Sequence, residues 1–262
     1  MRNKIIILGI SSDIGNYLAK EFVNEDFDVV GTYNNANNVK KLSKKNIKLI
    51  KININNLSKN AINNLKFNSK NWDIIISCFG SIKPLGKYFE NSVKDIKKNF
   101  NINFFSNIEL IKNIISERKK KSHIFFFSGS GSNGPSNELS AYCLSKLLLI
   151  KSAELISEEY PDINCTTIGP GFINTKIHNE LLTKKNKFNK AYKKYLFLKN
   201  KKNNKLKDLQ NIFDLIKTCI KNPKLSKGRN FSSKYDNWKN NFLKYRKKLK
   251  KIDAFKLRRN NG

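Results

Sequence analysis

Apolar residues gather along this chain in short runs: Ile5 to Leu8, Val29 to Gly31, Ile47 to Ile50, Ile74 to Ile76, His123 to Phe127 and Ile163 to Ile168. The runs are continuous where a strand wetted on one face would alternate, so each strand is expected to be covered on both faces. Between them lie amphipathic segments of helical length, Ile14 to Asn24, Ser58 to Phe67, Val93 to Glu117 and Ala141 to Glu159. Strand and helix repeated in this way predict the α/β class, a doubly wound parallel sheet of the Rossmann type with right-handed crossovers. Leu225 to Phe231 predicts a last strand, and no linker composition divides the chain, so residues 1–262 read as a single domain. Ligands of such a sheet bind beyond the carboxyl ends of its strands.

The first crossover carries Gly9-Ile10-Ser11-Ser12-Asp13-Ile14-Gly15 directly after a strand and at the opening of a helix. Glycines there permit a tight turn and close approach of backbone to a pyrophosphate, whose charge a helix N-terminus favours. An ordinary turn with Asp13 as helix cap is the competing reading. Later, Tyr142-Cys143-Leu144-Ser145-Lys146 places a phenol and an ammonium four residues apart in a helical segment, hence on one face. A nearby ammonium stabilises a phenolate and pulls the tyrosine pKa from roughly 10 toward neutrality, where the phenol exchanges protons readily. That is the chemistry of moving a proton to or from a carbinol oxygen.

Charge changes this picture little. With 52 Lys+Arg against 20 Asp+Glu the formal net charge is +32, which ordinarily suggests nucleic acid or an anionic surface as partner. Here lysine is spread over nearly every segment together with Asn and Ile, with no single basic face, and runs such as Arg118-Lys119-Lys120-Lys121 are expected at solvated helix ends and loops. Nucleic acid is therefore not the expected partner, although anionic ligands, phosphorylated cofactors among them, remain favoured. The dispersed cysteines 78, 143, 165 and 219, with two histidines in all, argue against a zinc site or disulfide framework. Met1-Arg2-Asn3-Lys4 before Ile5 resembles the start of a signal peptide, but Gly9 and Ser11-Ser12-Asp13 interrupt the apolar run at once. No stretch approaches the ~18 apolar residues of a membrane span, so the sequence predicts a soluble, cytoplasmic protein with no membrane partner.

The glycine turn, the Tyr142/Lys146 pair and Pro170-Gly171-Phe172-Ile173-Asn174-Thr175 occur in the order and spacing of the short-chain dehydrogenase/reductase family, which the chain resembles well over residues 4 to 175 and loosely over 205 to 235. The resemblance implies an NAD(P)(H)-dependent oxidoreductase interconverting a carbonyl and an alcohol. Gly9, Ser11, Ser12, Ile14 and Gly15 would hold the cofactor phosphates, with Asp13 standing where the family has its middle glycine. Asn53 would touch the adenine in place of the usual Asp. Ser77-Cys78-Phe79-Gly80 replaces the family's Asn-Asn-Ala-Gly, leaving Phe79 and Gly80 as the cofactor wall. Pro170, Gly171, Ile173 and Thr175 would meet the nicotinamide end. Among catalytic groups, Tyr142 would exchange the proton, Lys146 would lower its pKa and hold the nicotinamide ribose, and Asn103 would help relay protons to the lysine. The catalytic serine commonly precedes the tyrosine by thirteen residues, where this chain has Gly129, so Ser128 is the first candidate and Ser130 the second.

After the second strand, Tyr33 and Asn34 occupy the cofactor-selecting position in Gly31-Thr32-Tyr33-Asn34-Asn35. No acid is present there to bind a ribose 2′-hydroxyl, and Lys40 and Lys41 follow, so NADP(H) is expected over NAD(H). The substrate would be a small carbonyl or alcohol, and the basic residues after Thr175 would favour an anionic one. Residues about 172–205, with Asn179-Glu180-Leu181-Leu182 and a basic stretch, read either as a lid over the cleft or as a solvated insertion. About 235–262 read as a basic helical tail that covers the site or a neighbouring subunit, and the family implies a homodimer or homotetramer through its long helices. Two other readings compete: a non-catalytic nucleotide-binding or interaction protein that keeps the fold, and a basic RNA-associated protein.

Overall fold

The computed structural model describes residues 2–36, 39, 42, 46–129, 131, 132, 134–182, 190–200, 204–241 and 253–258. Its strands β1 (Lys4–Leu8), β2 (Asp28–Tyr33), β3 (Ile47–Lys51), β4 (Trp72–Ser77), β5 (Arg118–Phe127), β6 (Ile163–Gly169) and β7 (Asn230–Ser232) form one seven-stranded sheet in the order β3-β2-β1-β4-β5-β6-β7. Every neighbouring pair is parallel. The order reverses between β1 and β4, which opens the crevice where ligands of such sheets bind.

The continuous apolar runs follow from burial on both faces. Side chains alternate across the sheet, so Ile5 and Ile7 pack with Leu18 and Phe22 of α1 (Asp13–Asn24) and with Ile212, Phe213 and Ile216 of α7 (Lys205–Lys221). Ile6, Leu8, Ile75 and Phe126 face the other way, onto Leu65 of α2 (Lys59–Asn68), Leu110 of α4 (Ser106–Ile114) and Leu149 of α5 (Ser140–Glu159).

Several expectations need correction. Val93 to Glu117 is not one regular helix: α3 (Val93–Phe100) and α4 are joined by a π-helical turn at Asn101–Phe105, and Ile115–Glu117 is a 3-10 turn. An inserted turn of this type re-aims side chains and is frequent at functional sites. Arg118 to Lys121 belongs to β5 and not to a helix end or loop. Its charges stay wet while the backbone extends the sheet, with Arg118 on Asp162 (3.0 Å) and Lys119 on Asp73 (2.9 Å). The last strand is only Asn230–Ser232, because Pro223 opens α8 (Pro223–Ser226) with a pre-set helical φ and Gly228 then turns the chain at φ +69°. The outer edge of β7 is partly covered by 253–258, where the Asn230 amide donates to the Phe255 carbonyl (2.8 Å) and Arg258 bonds Glu154 of α5 (2.5 Å). Residues 242–252 of the expected helical tail, like Lys40, Lys41 and Ser130, lie outside the described residues.

Candidate active site

Gly9 leaves β1 at φ +82° directly against the exit of β4: an added Cβ would lie 2.8 Å from the Phe79 Cβ and 2.9 Å from its amide nitrogen. A Cβ on Gly15 would lie 2.6 Å from the Gly9 carbonyl oxygen. The turn thus keeps backbone where any side chain would fill the cradle, as close approach of a pyrophosphate requires. Thr32, which the sequence did not single out, holds it from β2: the Gly9 amide donates to its hydroxyl (2.9 Å) and the Ile10 amide to its carbonyl (2.8 Å).

The cap of α1 is Ser12, not Asp13: the Ser12 hydroxyl accepts from the Gly15 amide at 3.0 Å. Asp13 is the first helical residue, and its carboxylate reaches across to the segment after β6, accepting from the Lys176 amide (2.9 Å) and pairing with Lys205 (2.8 Å). Burial opposes its charge, but the Lys205 and Lys176 bonds prevail and hold the carboxyl below its usual range. Asp13→Asn, which keeps an acceptor and loses the ion pair, should lower stability by less than ~1 kcal/mol because Lys205 is 44% exposed. Denaturant midpoints in low and high salt would measure this.

The catalytic candidates meet beyond β4 and β5. Lys146 is 6% exposed, and its ammonium lies 5.7 Å from the centre of the Tyr142 ring. Gly80 lies beside it and leaves space for Asn103: a Cβ there would sit in ordinary contact with Lys146 Nζ at 3.6 Å but only 3.0 Å from Asn103 Oδ1. Asn103, fully buried in the π-helical turn, accepts from the Ser81 amide (2.8 Å) and donates to the Ser81 carbonyl (2.9 Å) and the Ser145 hydroxyl (2.9 Å). Ser145 in turn donates to the Tyr142 carbonyl (2.8 Å). The Tyr142 pKa does not stand lowered beside Lys146 in this arrangement, because burial is the largest influence on it. Burial pushes the phenol up, and burial also pushes Lys146 down to about 8, because an enclosed site disfavours each charged form.

Gly129, not Ser128, faces the Tyr142 hydroxyl, so closely that a Cβ would collide with it. Ser128 is 2% exposed; its hydroxyl has no hydrogen-bond partner and points to Gly169, where a Cβ would be 3.2 Å away. It lines the same cavity as Tyr142 but is not bonded to it. Ser77 and Cys78 lose the family's amides, yet Ser77 bonds the Asn107 carboxamide of α4, and Cys78 is a half-buried thiol whose desolvation pushes it up.

A cavity of about 910 Å³ joins Ser11, Ser12, Asp13 and Ile14 to Tyr142 and Lys146, and Pro170, Gly171, Ile173 and Thr175 also line it. A second, of about 850 Å³, runs past Tyr33, Asn34, Ile52, Asn55 and Phe79. Both are bordered by Gly9, Ser11, Phe79, Gly80 and Glu180, so together they follow the carboxyl ends of the strands. Asn53 is not brought into this lining; its carboxamide accepts from the Asn55 amide (3.1 Å) within its own exposed turn. Over Tyr142 lies a cover: Leu181 and, in α6 (Lys190–Asn200), Ala191 and Tyr195 pack with Ile82 and Phe172. Residues 183–189 and 201–203 of this region lie outside the described residues. Phe255, Lys256 and Leu257 near the chain's end line the cavity as well. Among the described residues no group of His, Cys, Asp and Glu suits a metal ion, and no helix is long and apolar enough to cross a membrane.

Residues 3–186 match the family model of the short chain dehydrogenases, and the chain belongs to this family of oxidoreductases. A protein of Schizosaccharomyces pombe described as an uncharacterized oxidoreductase is 29% identical over 116 residues, 44% of this chain and 47% of that protein, so the match spans about half of its length. Among solved structures, a short chain dehydrogenase/reductase from Saccharomyces cerevisiae superposes with TM-score 0.79 at 21% identity, covering 92% of this chain and 99% of that one. A 4-hydroxyisoleucine dehydrogenase complexed with NADH gives 0.70 at 24% identity, covering 88% and 96%. At these identities the superpositions speak for the fold.

Proposed function

We propose that the chain interconverts a carbonyl and an alcohol with a nicotinamide cofactor, Tyr142 exchanging the proton with the substrate oxygen. The observation that carries this reading is the convergence of half-buried Tyr142 and buried Lys146 on one face of α5, the ammonium 5.7 Å from the centre of the phenol ring and beside Gly80 and Asn103. The cofactor would be held by the Gly9 to Gly15 turn, Phe79, Gly80 and residues 170–175, and its nicotinamide supplies or accepts the hydride. Tyr142 stays protonated at neutral pH and so is set to donate to a carbonyl oxygen. Lys146 keeps a positive charge beside it below about pH 8. Ser128, whose buried hydroxyl is unpaired in the cavity, orients the substrate; Ser130 stays the second candidate.

Reduction is expected to be constant through neutral pH and to fall above about pH 8, as Lys146 loses its proton. An initial-rate profile from pH 6 to 10 measures this, and a rate still rising at pH 9 would contradict the assigned role. Consumption of NADPH and NADH against aldehydes, ketones and sugar nucleotides tests the reaction itself. NADPH is expected to bind more tightly because no acid stands at Tyr33-Asn34 to repel a 2′-phosphate.

A second reading, a nucleotide-binding protein without turnover, draws on one observation: Gly129 occupies the place facing the Tyr142 hydroxyl. Binding of NADPH with no reaction across the panel would favour it. Self-association through the long helices is supported by Leu144, Leu148 and Leu155, which are exposed along α5, with Phe105 exposed at the π-helical turn. Leu148→Glu should then yield monomers by light scattering.

A further inference from the structure

Two carboxylates tie the segment after β6 to the rest of the cleft, and the second has no counterpart among the residues assigned above. Glu180 sits in the 3-10 segment Lys176–Leu182 and borders both cavities. It accepts the Ser81 hydroxyl on both oxygens (3.1 and 3.0 Å) and the Ile82 amide at 2.9 Å. Ser81 is the residue whose backbone amide and carbonyl grip the Asn103 carboxamide (2.8 and 2.9 Å), and its carbonyl also accepts from Asn99 of α3 (3.0 Å). Asn103 bonds Ser145, which bonds the carbonyl of Tyr142. A chain of hydrogen bonds therefore runs without a gap from the cover to the first turn of α5. Leu181, the next residue, is 3% exposed against Ile82, so packing and hydrogen bonding fix the same contact.

We propose that Glu180 is a positioning residue for proton transfer: by seating the cover on Ser81 and Ile82 it sets the Asn103 carboxamide and, through Ser145, the placement of Tyr142 and Lys146. The physical basis is that Ser81 is held from two sides. Asn103 restrains its backbone from below the cleft, and Glu180 restrains its side chain and the next amide from above. Gly80, immediately before it, is the wall on which Lys146 rests. Loss of the upper restraint lets Gly80-Ser81 move away from Lys146 and relaxes the carboxamide that both strand loop and helix share. Displacements of about 1 Å in a reacting group can cost on the order of 10²-fold in rate, so a contact remote from the reacting atoms has a measurable effect.

The inference rests on the proposed function for its kinetic consequence but not for its structural one, and the test uses both. In Glu180→Ala, amide hydrogen exchange should quicken at Ser81 and Ile82 and also in the turn from Tyr142 to Lys146, while the exchange of β1 and β2 stays as in the parent. The kcat/KM for a carbonyl substrate should fall roughly tenfold or more. Glu180→Gln keeps an oxygen acceptor for the Ile82 amide and should recover most of both losses. Unchanged exchange from Tyr142 to Lys146 in Glu180→Ala overturns the proposal, because a purely local tie would quicken only Ser81 and Ile82. So does a kcat/KM equal to that of the parent per folded molecule. If the parent protein moves no hydride at all, the functional reading fails instead, and exchange alone still decides whether Glu180 acts on the Tyr142 turn.

Discussion

Tyr142→Phe is expected to lower carbonyl reduction by about 10²- to 10⁴-fold, the range that a positioned general acid contributes, with cofactor affinity nearly unchanged. The substitution removes one oxygen and leaves the ring, which packs beside the cluster of Ile82, Leu181 and Tyr195. In the proposed role the phenol is the donor, protonated at neutral pH because burial raises its pKa, and no other described acid is brought to that point: Ser128 turns to Gly169, and Gly129 offers only backbone. Stopped-flow turnover beside fluorescence titration of NADPH separates the effects. Turnover within a few-fold of the parent would remove Tyr142 from its role.

Lys146→Met should have opposite effects on activity and stability. The variant is expected to lose turnover together with the ammonium, yet to be more stable at neutral pH by about 3 kcal/mol, the equivalent of lowering a lysine pKa from 10.5 to about 8. The sign follows from proton counts. Between about pH 8 and 10.5 the unfolded chain holds a proton on this lysine that the folded chain has lost, so stability in the parent rises with pH there. Below about pH 8 both states are protonated and the full cost of burying the charge remains. The advantage of the methionine variant is thus complete at pH 7 and shrinks toward pH 10.5. For a chain of this size it corresponds to a melting temperature higher by about 6 to 12 °C at pH 7. An equal or lower melting temperature there would mean that the ammonium is compensated in the folded cleft. The general expectation is that active sites retain groups that cost stability.

The fold class could be read from the chain because it depends on local pattern. Continuous runs such as Ile5 to Leu8 are apolar on both faces, and only a covered parallel sheet buries both. The glycine turn could be read for the same reason, since Gly9 and Gly15 answer backbone demands made within a few residues. Where several short-range effects competed, the pattern misled. Ser12 and Asp13 both cap helices well, and what assigned the cap to Ser12 was the distant Lys176 amide and Lys205 drawing Asp13 away. Asn53 stands after the third strand as expected, but its own turn captures the carboxamide.

By itself, then, the sequence determined the alternation of strand and helix, the glycine turn after the first strand and the spacing that puts Tyr142 and Lys146 on one helical face. All of these depend on residues close in the chain. Tertiary structure alone decided how those groups are charged and held. Burial beyond β4 and β5 raises the phenol and lowers the ammonium, Gly129 replaces a serine before the tyrosine hydroxyl, and Glu180 reaches Ser81 across 99 positions of sequence. Desolvation and long-range hydrogen bonds depend on which segments the fold brings together, and no local pattern encodes that.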